Sequence, residues 1–73
     1  MILDWIPVPD STRIVAMAYD SETETIYVRF PSGMEWWYGN CPPMTWEEFS
    51  APGTSKGSYI AHVLNHRPNG RSV

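Results

Sequence analysis

The chain has 73 residues and a formal net charge of −3, enough for one domain with a modest core and no room for a second. A lone cysteine excludes an internal disulfide framework, so ten aromatic residues, four Trp, four Tyr and two Phe, are the expected source of buried area. The overall charge departs from the basic profile of a tight nucleic-acid binder, but it is divided unevenly: residues 1 to 53 hold all eight acids beside Arg13 and Arg29, and residues 54 to 73 hold Lys56, Arg67 and Arg71 with no acid.

Residues 1 to 10 predict an extended arm, because Pro7 and Pro9 forbid a helix and bias Ile6 and Val8 toward extended backbone. Trp5 is expected to anchor this arm by packing. The segment has no basic leader and its apolar residues are interrupted by Asp4 and two prolines, so it does not read as a signal peptide. No run reaches the roughly 20 apolar residues of a membrane span. A reducing cytoplasm, that of the host if the chain is phage-encoded, is the expected compartment.

Residues 11 to 20, STRIVAMAYD, predict a first strand with Val15, Met17 and Tyr19 on one face and Ile14, Ala16 and Ala18 on the other. Residues 21 to 24 supply the turn. Next comes a hairpin in which Ile26, Val28 and Phe30 alternate with Thr25, Tyr27 and Arg29. Pro31-Ser32-Gly33 suits a three-residue loop, since proline presets φ and glycine accepts the left-handed bulge position. That loop places Phe30 opposite Met34, Val28 opposite Trp36 and Ile26 opposite Tyr38 on one face, with Arg29 opposite Glu35 and Tyr27 opposite Trp37 on the other. If Asp20 pairs near Thr25, Met17 meets Val28 and Tyr19 meets Ile26, extending the apolar face to a third strand.

Asn40 to Pro43 should end the sheet, and Thr45-x-x-Glu48 fits a capping box opening a short helix with Trp46 and Phe49. Ala51-Pro52-Gly53 halts it. Thr54 or Ser55 can cap a second, longer helix whose face carries Tyr59, Ile60, Val63 and Leu64, and Pro68 sets its latest end. Residues 69 to 73, NGRSV, read as a flexible tail. The expected architecture is therefore α+β: a three-stranded antiparallel meander with both helices on its apolar face, the other face left open to water or a partner.

Chemistry-bearing clusters are sparse. His62 and His66 lie one helical turn apart and Cys41 could be a third ligand, but neither H-E-x-x-H nor C-x-x-C accompanies them, so no metal site is assigned. Cys41 has no positioned base or oxyanion donors, no carboxylates form a catalytic pair, and no cofactor motif is present. Ser55-Lys56-Gly57-Ser58 offers a lysine, hydroxyls and free backbone N–H groups without the spacing of a P-loop. Tyr27 and Trp37 beside Arg29 could stack bases on the open face, while Lys56, Arg67 and Arg71 bring positive charge. The same aromatic face and an edge strand suit a protein partner or self-association.

Several of these segments, in this order, resemble the KTSC domain family. STRIVAMAYD is similar to its opening serine, apolar and tyrosine-aspartate pattern, IYVRFPSG to its hairpin, WWY to its YxY motif, and Ser55-Lys56-Gly57-Ser58-Tyr59, after Pro43 and a short helix, to its Ser-x-Gly-x-Tyr segment. Trp36 stands in place of the first tyrosine, and residues 51 to 55 look longer than the usual spacing. The family occurs at the C-terminus of some lysyl-tRNA synthetases and as free-standing bacterial and phage proteins, and this chain looks more like the phage type. The resemblance implies a small non-enzymatic domain for which RNA or tRNA binding has been suggested. The alternative is a protein-interaction module, such as a phage protein that binds a host protein or serves a structural role in the particle.

Overall fold

The computed structural model describes residues 2–72; Met1 of the expected arm and Val73 of the expected tail lie outside the described residues. Among the described residues, five antiparallel strands follow one another in both sequence and space: β1 (Ile6–Pro7), β2 (Ala16–Asp20), β3 (Thr25–Arg29), β4 (Glu35–Tyr38) and β5 (Asn69–Arg71). Helix α1 (Pro43–Ser50) and helix α2 (Lys56–His62) separate β4 from β5, and a single 3-10 turn, Leu64–His66, follows α2. No helix among the described residues is long and apolar enough to cross a membrane.

The register of the central strands is the expected one. Val28 pairs with Trp36, Ile26 with Tyr38, Arg29 with Glu35 and Tyr27 with Trp37, while Met17 faces Val28 and Tyr19 faces Ile26. The turn sets it. Gly33 N–H donates to the Phe30 carbonyl at 2.9 Å and Phe30 N–H to the Met34 carbonyl at 2.8 Å, and Gly33 takes φ +92°, the left-handed conformation the three-residue loop requires.

The meander is larger than three strands because both chain ends join it. Ile6 and Pro7 of the arm pair with Met17 and Ala16, making β1 an edge strand, the position that tolerates a proline without an N–H. Residues 69–71, expected in a tail, pair with Trp36, Trp37 and Tyr38. Gly70 explains this pairing: a Cβ there would lie 3.0 Å from Trp37 Nε1, so a bare backbone lets the indole lie across the strand.

The helices also differ from expectation. α1 begins at Pro43, whose missing N–H costs nothing in the first turn, and Thr45 makes no capping box but is buried within the helix. α2 is not the longer of the two: it spans seven residues against eight in α1, because Val63 leaves helical geometry and the chain tightens into the 3-10 turn. Ser55 caps α2 as expected, accepting from Ser58 N–H at 3.4 Å.

The core lies between the sheet and the helices. Ile26, Val28, Met17 and Tyr38 from the sheet meet Phe49 of α1, Ile60 of α2 and Leu64, with Ile14 and Cys41 closing the ends. An aromatic series ties the layers together: Tyr19 stacks on Trp46 at 5.3 Å and 5° between planes, Trp46 meets Phe49 at 6.3 Å, and Phe49 meets Tyr59 at 5.6 Å. The Tyr19 hydroxyl donates to the Cys41 carbonyl at 2.7 Å, which fixes the exit from β4.

Candidate functional site: the open face of the sheet

Strand alternation divides the sheet into two faces. Trp36 and Tyr38 look toward the helices with Ile26 and Val28, so the two outer residues of the WWY motif are architectural and only Trp37 reaches the opposite face. Both helices pack on the first face. Across the second run Ala18, Tyr27, Trp37 and Gly70, one from each of β2 to β5. Trp5 extends this row from the other side, because alternation with Ile6 returns it to the face of Pro7 and Ala16.

The neighbouring row contains Ala16, Arg29 and Glu35. Arg29 Nε donates to Glu35 Oε2 at 2.8 Å, and its guanidinium carbon sits 4.3 Å from the Trp5 ring centroid. A cation over a tryptophan face and a carboxylate on its edge hold this arginine in one orientation. Trp5, Tyr27, Arg29 and Trp37 are all half-buried, whereas Ala16 and Ala18 between them are buried. The result is an aromatic surface whose arginine and glutamate are paired with each other, suited to contact and stacking.

The residues expected to bind a partner therefore separate. Tyr27, Arg29 and Trp37 come together. Arg71 pairs with Trp36 and so belongs to the helix-side face, where it is exposed. Arg67 Nη1 donates to the Asn40 carbonyl at 2.7 Å and fastens the 3-10 turn to the end of β4. Ser55 is exposed and occupied as the α2 cap.

Lys56 departs most from the anion-contact expectation. Only 8% exposed, it sends its ammonium to the Phe49 carbonyl at 2.6 Å and the Ala51 carbonyl at 3.0 Å, and so ties down the C-terminal end of α1. Burial holds its pKa below the ordinary lysine value. The spacing carried this signal: Lys56, Ile60 and Leu64 recur every four residues, one face of a helix, and all three are buried.

Cys41 is fully buried, its thiol directed at the carbonyls of Gly39 (3.2 Å) and Tyr38 (3.4 Å), and burial raises its pKa, the opposite of nucleophile activation. His62 and His66 are both exposed, and no group of three His, Cys, Asp or Glu converges among the described residues. Trp5 is the face residue that sequence reasoning left as packing alone. Its signal was available only through the pairing of β1, since a two-residue strand containing proline has no readable alternation.

Comparison with known proteins bears on this arrangement. The family model described as KTSC domain matches residues 10–67. The chain belongs to the KTSC domain family. The crystal structure of a KTSC domain protein from Yersinia pestis superposes with a TM-score of 0.81 at 24% identity, covering 96% of this chain and 97% of that one. That likeness carries the KTSC fold and extends beyond residues 10–67. No curated protein matches the chain.

Proposed function

We propose that this KTSC domain is a non-enzymatic binding module that meets its partner with the open sheet face, and that the partner is a protein. The observation that carries this reading is the row Trp5, Tyr27 and Trp37 on the face opposite both helices, with Arg29 held between Trp5 and Glu35. Half-buried Trp, Tyr and Arg on one surface are the residue types that supply most binding energy at protein interfaces.

The aromatic row also suits base stacking, which keeps the RNA or tRNA reading alive as the second one. Charge ranks it second. Contact with an RNA backbone requires cations beside the stacked bases, yet Arg29 is paired, Lys56 is buried, Arg67 serves a backbone carbonyl, the exposed Arg71 lies on the other face, and the exposed Arg13 rests against α2, away from the aromatic row.

The test compares immobilised domain with its Trp37→Ala variant for capture from bacterial lysate, with and without nuclease, after thermal melts establish that both are folded. Capture that survives nuclease and is lost on substitution supports a protein partner at this face. Nuclease-sensitive capture assigns the face to RNA. Equal capture by a folded variant places binding elsewhere.

A further inference from the structure

A groove of about 460 Å³ lies between the N-terminal arm and the link from α1 to α2, a volume within the range of small-molecule sites. Residues 7–13 form one wall and residues 52–57 the other, and none of Trp5, Tyr27, Arg29 or Trp37 lines it. It is thus a separate surface from the aromatic face.

Three features give the groove its chemistry. Arg13 lines it, is exposed, and makes no ion pair among the described residues. Its stem rests on the first turn of α2: Arg13 Cβ and Cγ lie 3.5 and 3.6 Å from where a Cβ on Gly57 would stand, so the glycine leaves the space the stem fills. Lys56 also lines the groove, and its ammonium has two carbonyl acceptors for three N–H groups, with no carboxylate partner among the described residues. A desolvated cation satisfied only by neutral carbonyls is stabilised further by an anion brought near it.

The hydroxyl groups add direction. Ser11 Oγ accepts from Arg13 N–H at 3.0 Å, which orients it and leaves its own proton free to donate, and Thr12 stands beside Arg13; Thr54 already donates its proton to the Glu48 carbonyl at 2.9 Å. Against these, Asp10 is the only acid on the walls among the described residues, so the groove is locally positive in a chain that is acidic overall. Pro7, Pro9 and Pro52 supply rigid apolar surface alongside.

We propose that this groove binds a small phosphate ester, with Arg13 as the anchor for the phosphate, Lys56 as a second and more distant positive charge, and the prolines against the ester's organic body. An arginine fork with the Ser11 hydroxyl beside it suits a tetrahedral group with several acceptor oxygens, and the Lys56 charge adds to it at longer range. The volume exceeds what bare phosphate fills.

The experiment is a backbone amide NMR titration of the full chain with three probes: a nucleoside monophosphate, inorganic phosphate and the matching uncharged nucleoside. The expected result is perturbation at residues 10–13 and 53–57 by both phosphates, at least about tenfold tighter for the ester, and none from the nucleoside; tenfold is the separation a few added apolar contacts supply. Arg13→Gln, an exposed substitution with an unchanged melting midpoint, should weaken ester binding by at least about tenfold, as loss of a charge-assisted contact does. Absent perturbation, equal response to the nucleoside, equal affinity for inorganic phosphate, unchanged binding by the variant, or perturbation centred on Trp37 would each overturn the proposal. Perturbation centred on Trp37 would in addition favour the RNA reading of the sheet face; the other outcomes leave the reading of that face untouched, and Trp37→Ala tests it separately.

Discussion

At the scale of single residues, the two that most control this fold are a missing side chain and a buried charge. Gly70 is the condition for β5, because Trp37 occupies the space a side chain would need. Gly70→Val forces a contact near 3.0 Å and should cost about 1–3 kcal/mol, the range for overpacking, with the loss visible as a lower urea midpoint and red-shifted tryptophan emission. Lys56 acts in the opposite way, through what it satisfies. Its ammonium serves two carbonyls at the end of α1, so Lys56→Met, which keeps the apolar stem, leaves both without that donor and should cost about 1–3 kcal/mol by chemical denaturation. A loss below about 0.5 kcal/mol, the range of ordinary surface changes, would mean that water replaces the ammonium freely.

At the scale of elements, what could be read from the chain depended on whether an element's signal was local. The β2 to β4 register was legible because Pro31-Ser32-Gly33 fixes the loop and the alternation of Ile26, Val28, Trp36 and Tyr38 leaves one pairing that buries them together. The elements at the chain ends were not legible. β1 contains a proline and spans two residues, and β5 is Asn-Gly-Arg, which by itself reads as a turn; each is a strand only because a neighbouring edge accepts it. The candidate site followed the same rule. Tyr27, Arg29 and Trp37 were placed together by hairpin register, whereas the inward course of Lys56 and the arrival of Trp5 beside Arg29 depend on tertiary contacts. Truncation after Pro68 tests the terminal strand directly. It removes the partner of the Trp36 Nε1 hydrogen bond, Asn69 Oδ1 at 3.0 Å, and the strand beneath Trp37, so stability should fall by about 1–2 kcal/mol and tryptophan emission should shift to the red. A mere tail would leave both unchanged.

At the scale of the whole molecule, four acidic protons are held and one cation is opposed by burial among the described residues, which gives stability a defined dependence on alkaline pH. Burial raises the pKa of Cys41, Tyr19 and Tyr38, and burial together with the Glu48 carboxylate, which accepts from the Tyr59 hydroxyl at 2.8 Å, raises Tyr59 to about 12. In each case the folded chain keeps its proton to higher pH than the unfolded chain, so the contribution is complete below about pH 9, where the unfolded thiol begins to ionise, and is lost as pH rises toward 12. Lys56 works in the other direction: its lowered pKa opposes the charged form in the fold, and that opposition disappears once the unfolded lysine is neutral as well. The four acids act in one sense, and the prediction is that their combined loss dominates. Thermal midpoints should therefore hold steady from pH 7 to about 9 and fall steeply between about 9 and 12. Tyr59→Phe keeps the ring against Phe49 while removing the hydroxyl that bridges α2 to Glu48 and to the Thr45 carbonyl, so it should lower the neutral midpoint slightly and flatten the alkaline fall. Parallel alkaline curves for the variant and the parent chain would show that Tyr59 titrates alike in the folded and unfolded states, and an unchanged neutral midpoint would show that the link between the two helices rests on the aromatic contacts alone.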